Sequence, residues 1–102
     1  MSRRIGIQKT VRYTGRVSYE LKWHRRAAGA LNALPARAQS DILGAIEALA
    51  ENPRPRGTQK LAGKLAGLYR IRVGIHYRVL YSIDDKVRIV LVVNVGSREG
   101  AY

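Results

Sequence analysis

The residues of this sequence best suited to chemistry are arginines that alternate with apolar residues. Arg70 and Arg72 alternate with apolar residues over 69–73, and Arg78 is out of phase with the apolar positions of 77–83. Because side chains of a strand alternate between faces, we expect the three arginines on one face of a sheet. Neighbouring like charges repel, which favours an anion between them. A guanidinium binds two phosphate oxygens at once and stabilises the added charge of a pentacovalent phosphorus, so the pattern predicts a phosphate site.

Two residues near the C-terminus extend this pattern. Arg98 follows the last predicted strand and would add a fourth cation. Arginine stays charged at any working pH and is a poor proton shuttle, so another group must act as the base. Tyr102 is the candidate, because adjacent positive charge favours the phenolate form, and Glu99 is the competing candidate. For one arginine alone a solvated surface position is the ordinary interpretation, but the convergence of several favours a phosphate site.

Other catalytic schemes lack their residues. The sequence has no cysteine and no glycine loop that ends in Lys followed by Ser or Thr. Two histidines and seven scattered acidic residues form no zinc-ligand pattern, and the adjacent pair Asp84-Asp85 falls in a predicted turn. An acid–base pair of His24 and His76 stays open, although such histidines are more often ordinary surface residues. We therefore expect no metal and no cofactor.

The charge of the chain indicates a polyanionic partner. Its 102 residues include 19 Lys and Arg against 7 Asp and Glu, which gives a net charge of +12. Nucleic acid or an acidic protein would suit this charge. The hydrophobic share of 46% is typical of a globular chain, and the length is that of one domain. No apolar run approaches the roughly 18 residues that cross a bilayer, so we expect a cytoplasmic protein with no membrane partner.

The first 18 residues differ from the rest of the chain. They carry five basic residues, no acidic residue and little apolar pattern. The main interpretation is a flexible basic arm over residues 1–18, and the alternative is an arm that folds on RNA phosphates. A folded domain is predicted over residues 19–102.

Hydrophobic patterning predicts an α+β domain with the order β-α-α-β-β-β. Apolar residues at helical spacing indicate two helices, separated by Pro35 and ending before Asn52-Pro53. Alternating or continuous apolar runs predict four strands, over residues 19–23, 69–73, 77–83 and 87–95. The last run is rich in β-branched residues, as expected of a central strand covered on both faces. A helical hairpin should therefore pack on one face of a four-stranded sheet. The stretch 53–67 is predicted to be a loop.

Three segments together resemble the RelE branch of the RelE/ParE toxins. They are Gly67-Leu68-Tyr69-Arg70-Ile71-Arg72-Val73-Gly74, His76-Tyr77-Arg78-Val79-Leu80-Tyr81 and Val95-Gly96-Ser97-Arg98-Glu99-Gly100-Ala101-Tyr102. The Ala-rich helix with Leu34-Pro35 and the helix end at Asn52-Pro53 also fit. Each segment alone is a weak signal, but their order and spacing are fairly specific, and the similarity covers residues 19–102.

The resemblance implies a toxin that a small antitoxin wraps and neutralises. It also implies a metal-free endoribonuclease that binds in the ribosomal A site and cleaves mRNA there. In that family the 2′-hydroxyl attacks the neighbouring phosphate and leaves a cyclic phosphate and a free 5′-hydroxyl. The matching catalytic positions here are Arg70, Arg72, Arg78, Arg98 and Tyr102. Some members have lysines at the first two positions, so a proton-transferring lysine is not implied for this chain.

The loop over residues 53–67 carries four cations and no acidic residue. With the resemblance, these residues are expected to contact the ribosome and its message: Arg54, Arg56, Lys60 and Lys64.

Three alternatives to the nuclease stay open. A ParE-like inhibitor of DNA gyrase would share the fold without cleaving RNA. A basic nucleic-acid-binding module without catalysis would also suit the charge, and so would an inactive relative that sequesters the antitoxin. The arginines and the tyrosine favour the nuclease.

Overall fold

A computed structural model of the chain describes residues 18–97. The predicted arm, except Ser18, lies outside these residues, and so do Arg98, Glu99 and Tyr102. The secondary structure elements, in chain order, are β1 (Glu20–Trp23), α1 (Arg25–Asn32), α2 (Ala36–Leu49), β2 (Gln59–Lys60), a 3₁₀ turn (Gly63–Leu65), β3 (Tyr69–Val73), β4 (Tyr77–Asp84) and β5 (Ile89–Ser97). The predicted α+β class and the helical hairpin are confirmed.

The strands form one sheet of five strands in the order β1-β5-β4-β3-β2. β1 pairs in parallel with β5, and every other pair is antiparallel. The prediction of four strands was wrong by one, because β2 forms within the stretch predicted to be a loop. β2 has two residues, both exposed, so it shows no hydrophobic alternation. Its pairing of Gln59 with Arg70 and of Lys60 with Tyr69 comes from β3, not from its own sequence.

Local contacts fix the ends of the two helices. His24 is the N-cap of α1, where its Nδ1 accepts a hydrogen bond from the Arg26 amide at 3.0 Å. Pro35, with φ −58°, precedes the first turn of α2. The Gln39 side chain donates to the carbonyls of Leu34 and Asn32 at 2.9 and 3.3 Å. These bonds satisfy carbonyls that the end of α1 would otherwise leave open, and they tie the two helices into a hairpin.

The core lies between the helical hairpin and one face of the sheet. α1 packs against β5, and α2 packs against β3 and β4. The buried side chains come from both layers: Ala27, Leu31, Ile42, Ile46, Leu49, Ile71, Val73, Val79, Tyr81, Val90, Val92 and Val95. In the described residues no helix covers the other face of the sheet, which we call the open face. No described helix is long and apolar enough to cross a membrane.

β5 differs in three ways from the predicted strand over 87–95, and one of them is that it continues through Gly96 to Ser97. It begins at Ile89, because Val87 is exposed in the preceding turn and Arg88 has φ +57°. The helices cover one face of it, not both. A register shift opposite Leu80 and Tyr81 places an extra residue, Val93, in β5. This bulge explains how Val92 and Val95, three positions apart, both face the core.

Candidate nucleic-acid interface

The open face brings together three of the predicted phosphate-binding arginines. Arg72 pairs directly with Arg78 across β3 and β4, and Arg70 pairs with Leu80. Directly opposed residues have Cβ atoms roughly 5 Å apart. Since the core-facing residues Ile71 and Val79 also pair with each other, all three arginines project away from the helices. We call this group the arginine face, defined by Arg70, Arg72 and Arg78.

The arginine face is partly supported by an apolar residue. Leu80 lies on the open face, yet only 3% of its surface is exposed, and it is not part of the main core. Arg70 and Arg78 are half-buried, whereas Arg72 is exposed. Leu80 therefore adds a buried apolar side chain among the arginines of this face.

On the side of β5, the arginine face borders residues without bulk or charge. Arg78 pairs with Gly96, and Leu80 pairs with Asn94. Ser97, the last residue of β5, pairs with Tyr77, which is next to Arg78. Arg98 follows Ser97 directly. Tyr102 is five residues after Ser97, so its Cα lies at most about 18 Å from that of Ser97. Both lie outside the described residues, so their place beside Arg78 stays a prediction based on this chain path.

Arg54 has an intramolecular partner. Its guanidinium donates to both carboxylate oxygens of Asp85, at 2.9 and 3.2 Å, and lies over the ring of Tyr69 at 5.2 Å from the centroid. Tyr19 donates its hydroxyl proton to the same carboxylate at 2.7 Å. These hydrogen bonds hold the pKa of Asp85 below its ordinary value and raise the pKa of Arg54 and that of Tyr19. We call this group the Asp85 cluster.

The Asp85 cluster and the arginine face lie at opposite ends of β4. Arg78 is the second residue of this strand, and Asp85 follows its last residue, Asp84. Six residues of extended chain between Arg78 and Asp84 span about 20 Å. Arg54 lies over Tyr69, whose side chain is on the opposite face from that of its neighbour Arg70, so the structure does not bring Arg54 to the arginine face. Lys60 pairs with Tyr69 and so belongs to the other face of the sheet, and it is exposed, as are Arg56 and Lys64.

The loop over residues 53–67, which we call the basic loop, is anchored to β4 by one buried hydrogen bond. The hydroxyl of Tyr81 donates to the carbonyl of Pro53 at 2.7 Å. The hydroxyl of Thr58 donates to the carbonyl of Pro55 at 2.6 Å and lies 3.5 Å from that of Tyr81. Burial raises the pKa of Tyr81 above its ordinary value. The first part of the loop is thus held in place while its cations remain exposed.

The structure separates His24 and His76. The amide of His24 donates to the carbonyl of Val92 at 2.9 Å, whereas His76 precedes Tyr77, which pairs with Ser97. These two positions of β5 are five residues apart, about 16 Å along the strand. An acid–base pair of the two histidines is therefore not formed.

The two acidic residues at the end of β4, Asp84 and Asp85, have structural contacts. The carboxylate of Asp84 accepts hydrogen bonds from the amides of Lys86 and Val87, which shapes the turn into β5. Asp85 is held by Arg54 and Tyr19 as described above. Within residues 18–97 no three His, Cys, Asp or Glu side chains come together as metal ligands would. The described residues therefore contain a group of cations on the open face and no metal-ligand cluster.

A known protein family matches most of the chain. Residues 21–102 match the family described as "ParE toxin of type II toxin-antitoxin system, parDE". The chain belongs to this family of the RelE/ParE toxins. Among curated protein sequences there is no match.

Solved structures of RelE proteins are similar to the toxin in fold and in sequence. The RelBE2 toxin–antitoxin complex of Mycobacterium tuberculosis contains a chain with 31% identity and a TM-score of 0.72, over 80% of this chain and 100% of that one. The RelE–RelB complex of Pyrococcus horikoshii gives 32% identity and a TM-score of 0.69, over 82% and 99%. The isolated RelE toxin of E. coli has 26% identity and a TM-score of 0.69, and the match covers 82% of this chain and 88% of that one. The resemblance to a RelE-like toxin of a type II toxin–antitoxin system is thereby confirmed.

Sequence reasoning missed one polar residue on the toxin's open face. Gln59 pairs with Arg70 and lies beside it at the edge of the sheet. No signal in the sequence marks it, because a strand of two exposed residues has no pattern. Its amide can donate and accept hydrogen bonds, so it adds a neutral polar group to a face that is otherwise cationic.

Proposed function

We propose that this toxin is a ribosome-dependent, metal-free endoribonuclease that cleaves mRNA in the A site. The observation that carries the proposal is Arg72 facing Arg78 across β3 and β4, with Arg70 on the same face. Arg72 and Arg78 belong to a stretch with no acidic residue between Glu51 and Asp84, and such a density of cations attracts anions. A phosphate of the message between them would relieve their repulsion.

The proposed reaction transfers a phosphoryl group within the RNA. The 2′-hydroxyl oxygen attacks the adjacent phosphorus while its proton passes to a base, for which we propose Tyr102. The bond from phosphorus to the 5′ oxygen breaks, and that oxygen takes up a proton from water. The products are a 2′,3′-cyclic phosphate and a free 5′-hydroxyl. Arg78 and Arg98 would hold the non-bridging oxygens, where fixed cations stabilise the charge that develops in the transition state.

We propose that a cognate antitoxin covers the arginine face. The relatives from M. tuberculosis and P. horikoshii form toxin–antitoxin complexes. With a net charge of +12, the toxin suits an acidic antitoxin segment. A segment lying on the open face would neutralise Arg70, Arg72 and Arg78 and block the message from the same surface.

Inhibition of DNA gyrase is the second candidate function, because the family that matches the sequence is that of the ParE toxins. A gyrase inhibitor needs no phosphate site that stabilises a transition state. The pairing of Arg72 with Arg78 supports cleavage of RNA over this alternative.

The two functions are separated by assaying the purified toxin in parallel. In a reconstituted translation system we expect new 5′ ends within codons, and in a supercoiling assay we expect gyrase to stay active. Arg78→Ala and Arg72→Ala should each lower single-turnover cleavage by about a hundredfold, with little change in ribosome binding. Arg37→Ala, which removes an exposed arginine from α2, is the matched control and should cleave normally. Intact transcripts together with inhibited gyrase would establish the alternative.

A further inference from the structure

The tip of the β3–β4 hairpin exposes an apolar side chain. Three residues, Gly74, Ile75 and His76, connect the strands, and Gly74 begins the turn with φ +64°. Ile75 is 81% exposed, more than any other large hydrophobic side chain of the described residues. Single exposed apolar residues are common on protein surfaces, so exposure alone indicates no function. The residues around Ile75 do indicate a function.

The tip lies next to the arginine face. Val73 pairs with Tyr77 at the end of the hairpin, and the next pair is Arg72 with Arg78. Ile75 is three residues from each arginine, so its Cα lies within about 11 Å of theirs. The ring of His76 meets the ring of Tyr77 edge-on, with centroids 6.4 Å apart and planes at 81°. An apolar and aromatic tip thus projects from the strand ends that carry the opposed cations.

This combination suits single-stranded nucleic acid. Such a ligand is bound by cations along its backbone and by flat or apolar side chains that contact its bases. A phosphate at Arg72 and Arg78 would bring an adjoining base to the tip of the same hairpin. We propose that Ile75 and His76 contact a nucleobase of the message and thereby influence where the toxin cuts. This inference rests on the proposed nuclease function and adds to it a determinant of sequence preference.

A protein partner fits the tip less well. No acidic residue occurs between Glu51 and Asp84, so the hairpin that carries the tip has cations and no acidic side chain, which suits RNA. The other exposed turn provides a contrast. Val87, 62% exposed in the β4–β5 turn, follows Asp84 and Asp85, lies between Lys86 and Arg88, and is at the end of β4 far from the arginine face. It is the matched control, an exposed β-branched residue in a hairpin turn that is distant from Arg72 and Arg78.

The first test compares cut sites. Wild type, Ile75→Ser, His76→Ala and Val87→Ser are added to ribosomes translating a long message, and all 5′ ends are counted. Loss of a base contact should change the relative use of strong and weak cut sites by roughly fivefold or more. We expect this change for Ile75→Ser and His76→Ala and a wild-type distribution for Val87→Ser. An unchanged distribution for both tip variants, or loss of antitoxin affinity as their sole effect, would overturn the inference.

The second test does not depend on cleavage. Wild-type toxin is photo-crosslinked to ribosomes whose A-site codon carries 4-thiouridine and 2′-O-methyl groups, and it is then digested with trypsin. Cleavage after Arg72 and Arg78 releases the peptide 73–78, which contains the whole tip, and we expect this peptide to carry the nucleotide. A cross-link elsewhere only would contradict the contact while leaving the nuclease proposal intact. A cross-link at the tip in a toxin that cuts no message would keep the contact and refute the nuclease.

Discussion

The Asp85 carboxylate makes a pH-dependent contribution to stability. Its hydrogen bonds from Arg54 and Tyr19 hold its pKa in the folded protein below the ordinary value of 3.8. A group whose pKa is lowered by folding stabilises the protein above its unfolded pKa, and this stabilisation is lost as the pH falls through the folded pKa. The cluster should therefore stabilise the toxin at neutral pH and lose its effect below about pH 4.

Asp85→Asn should lower the melting temperature at neutral pH. The difference in melting temperature between this variant and wild type should become smaller as the solution is acidified. Thermal unfolding measured from about pH 6 down to about pH 3 checks this. The matched control is Asp41→Asn, an exposed carboxylate on α2. A constant gap between Asp85→Asn and wild type across this range would contradict the assignment. The size of the effect is small, because the pair is solvent-exposed.

Single residues show what the sequence could and could not predict. The shared face of Arg70, Arg72 and Arg78 followed from the period of a strand, which needs only local sequence. The role of Arg54 did not, because Asp85 is 31 positions away and no local pattern joins them. In the sequence Arg54 resembles its neighbour Arg56, and only the folded chain shows that Arg54 has a carboxylate partner.

At the scale of elements, the basic loop depends on one buried hydroxyl of β4. Tyr81→Phe would keep the buried ring and leave the Pro53 carbonyl without its 2.7 Å hydrogen bond. An unsatisfied buried acceptor costs about 1–3 kcal/mol, so the free energy of unfolding should fall by that amount. Urea denaturation of Tyr81→Phe measures it, with Tyr77→Phe on the same strand as the control. Equal stability of both variants would show that water replaces the lost partner.

The elements predicted correctly were those with a strong period. Both helices and the strands β1, β3 and β4 lay close to their predicted positions because each has an apolar pattern of its own. β2 was missed because the pairing partner β3 creates it. The start of β5 was placed too early, since Val87 continues the β-branched run although the chain is still turning there. Pairing and turn geometry are tertiary information that composition does not contain.

At the scale of the whole molecule, the charge predicts how binding depends on salt. Exposed charges are screened within about 8 to 10 Å at moderate ionic strength. Affinity for ribosomes and for the antitoxin should therefore fall steadily as salt is added. Arg56→Ala and Lys64→Ala should each weaken ribosome affinity and reduce this salt dependence, because one phosphate contact is lost, while the rate of bound-state cleavage stays the same. Filter binding over a salt series checks this, with Arg37→Ala on α2 as the control. If ribosome affinity depends on salt concentration as steeply in these variants as in wild type, Arg56 and Lys64 do not contact the ribosome.

The parallel pairing of β1 with β5 has a consequence for synthesis. Glu20 pairs with Ile89 and Trp23 with Val92, so the first described strand finds its only sheet neighbour in the last one. During translation β1 and α1, which packs on β5, must wait until nearly the whole described chain has been made. A nascent toxin therefore cannot complete its sheet while its own ribosome is still reading the codons of β5. Under the proposed function, this order of events would keep the toxin from acting on the ribosome that makes it until the sheet is finished.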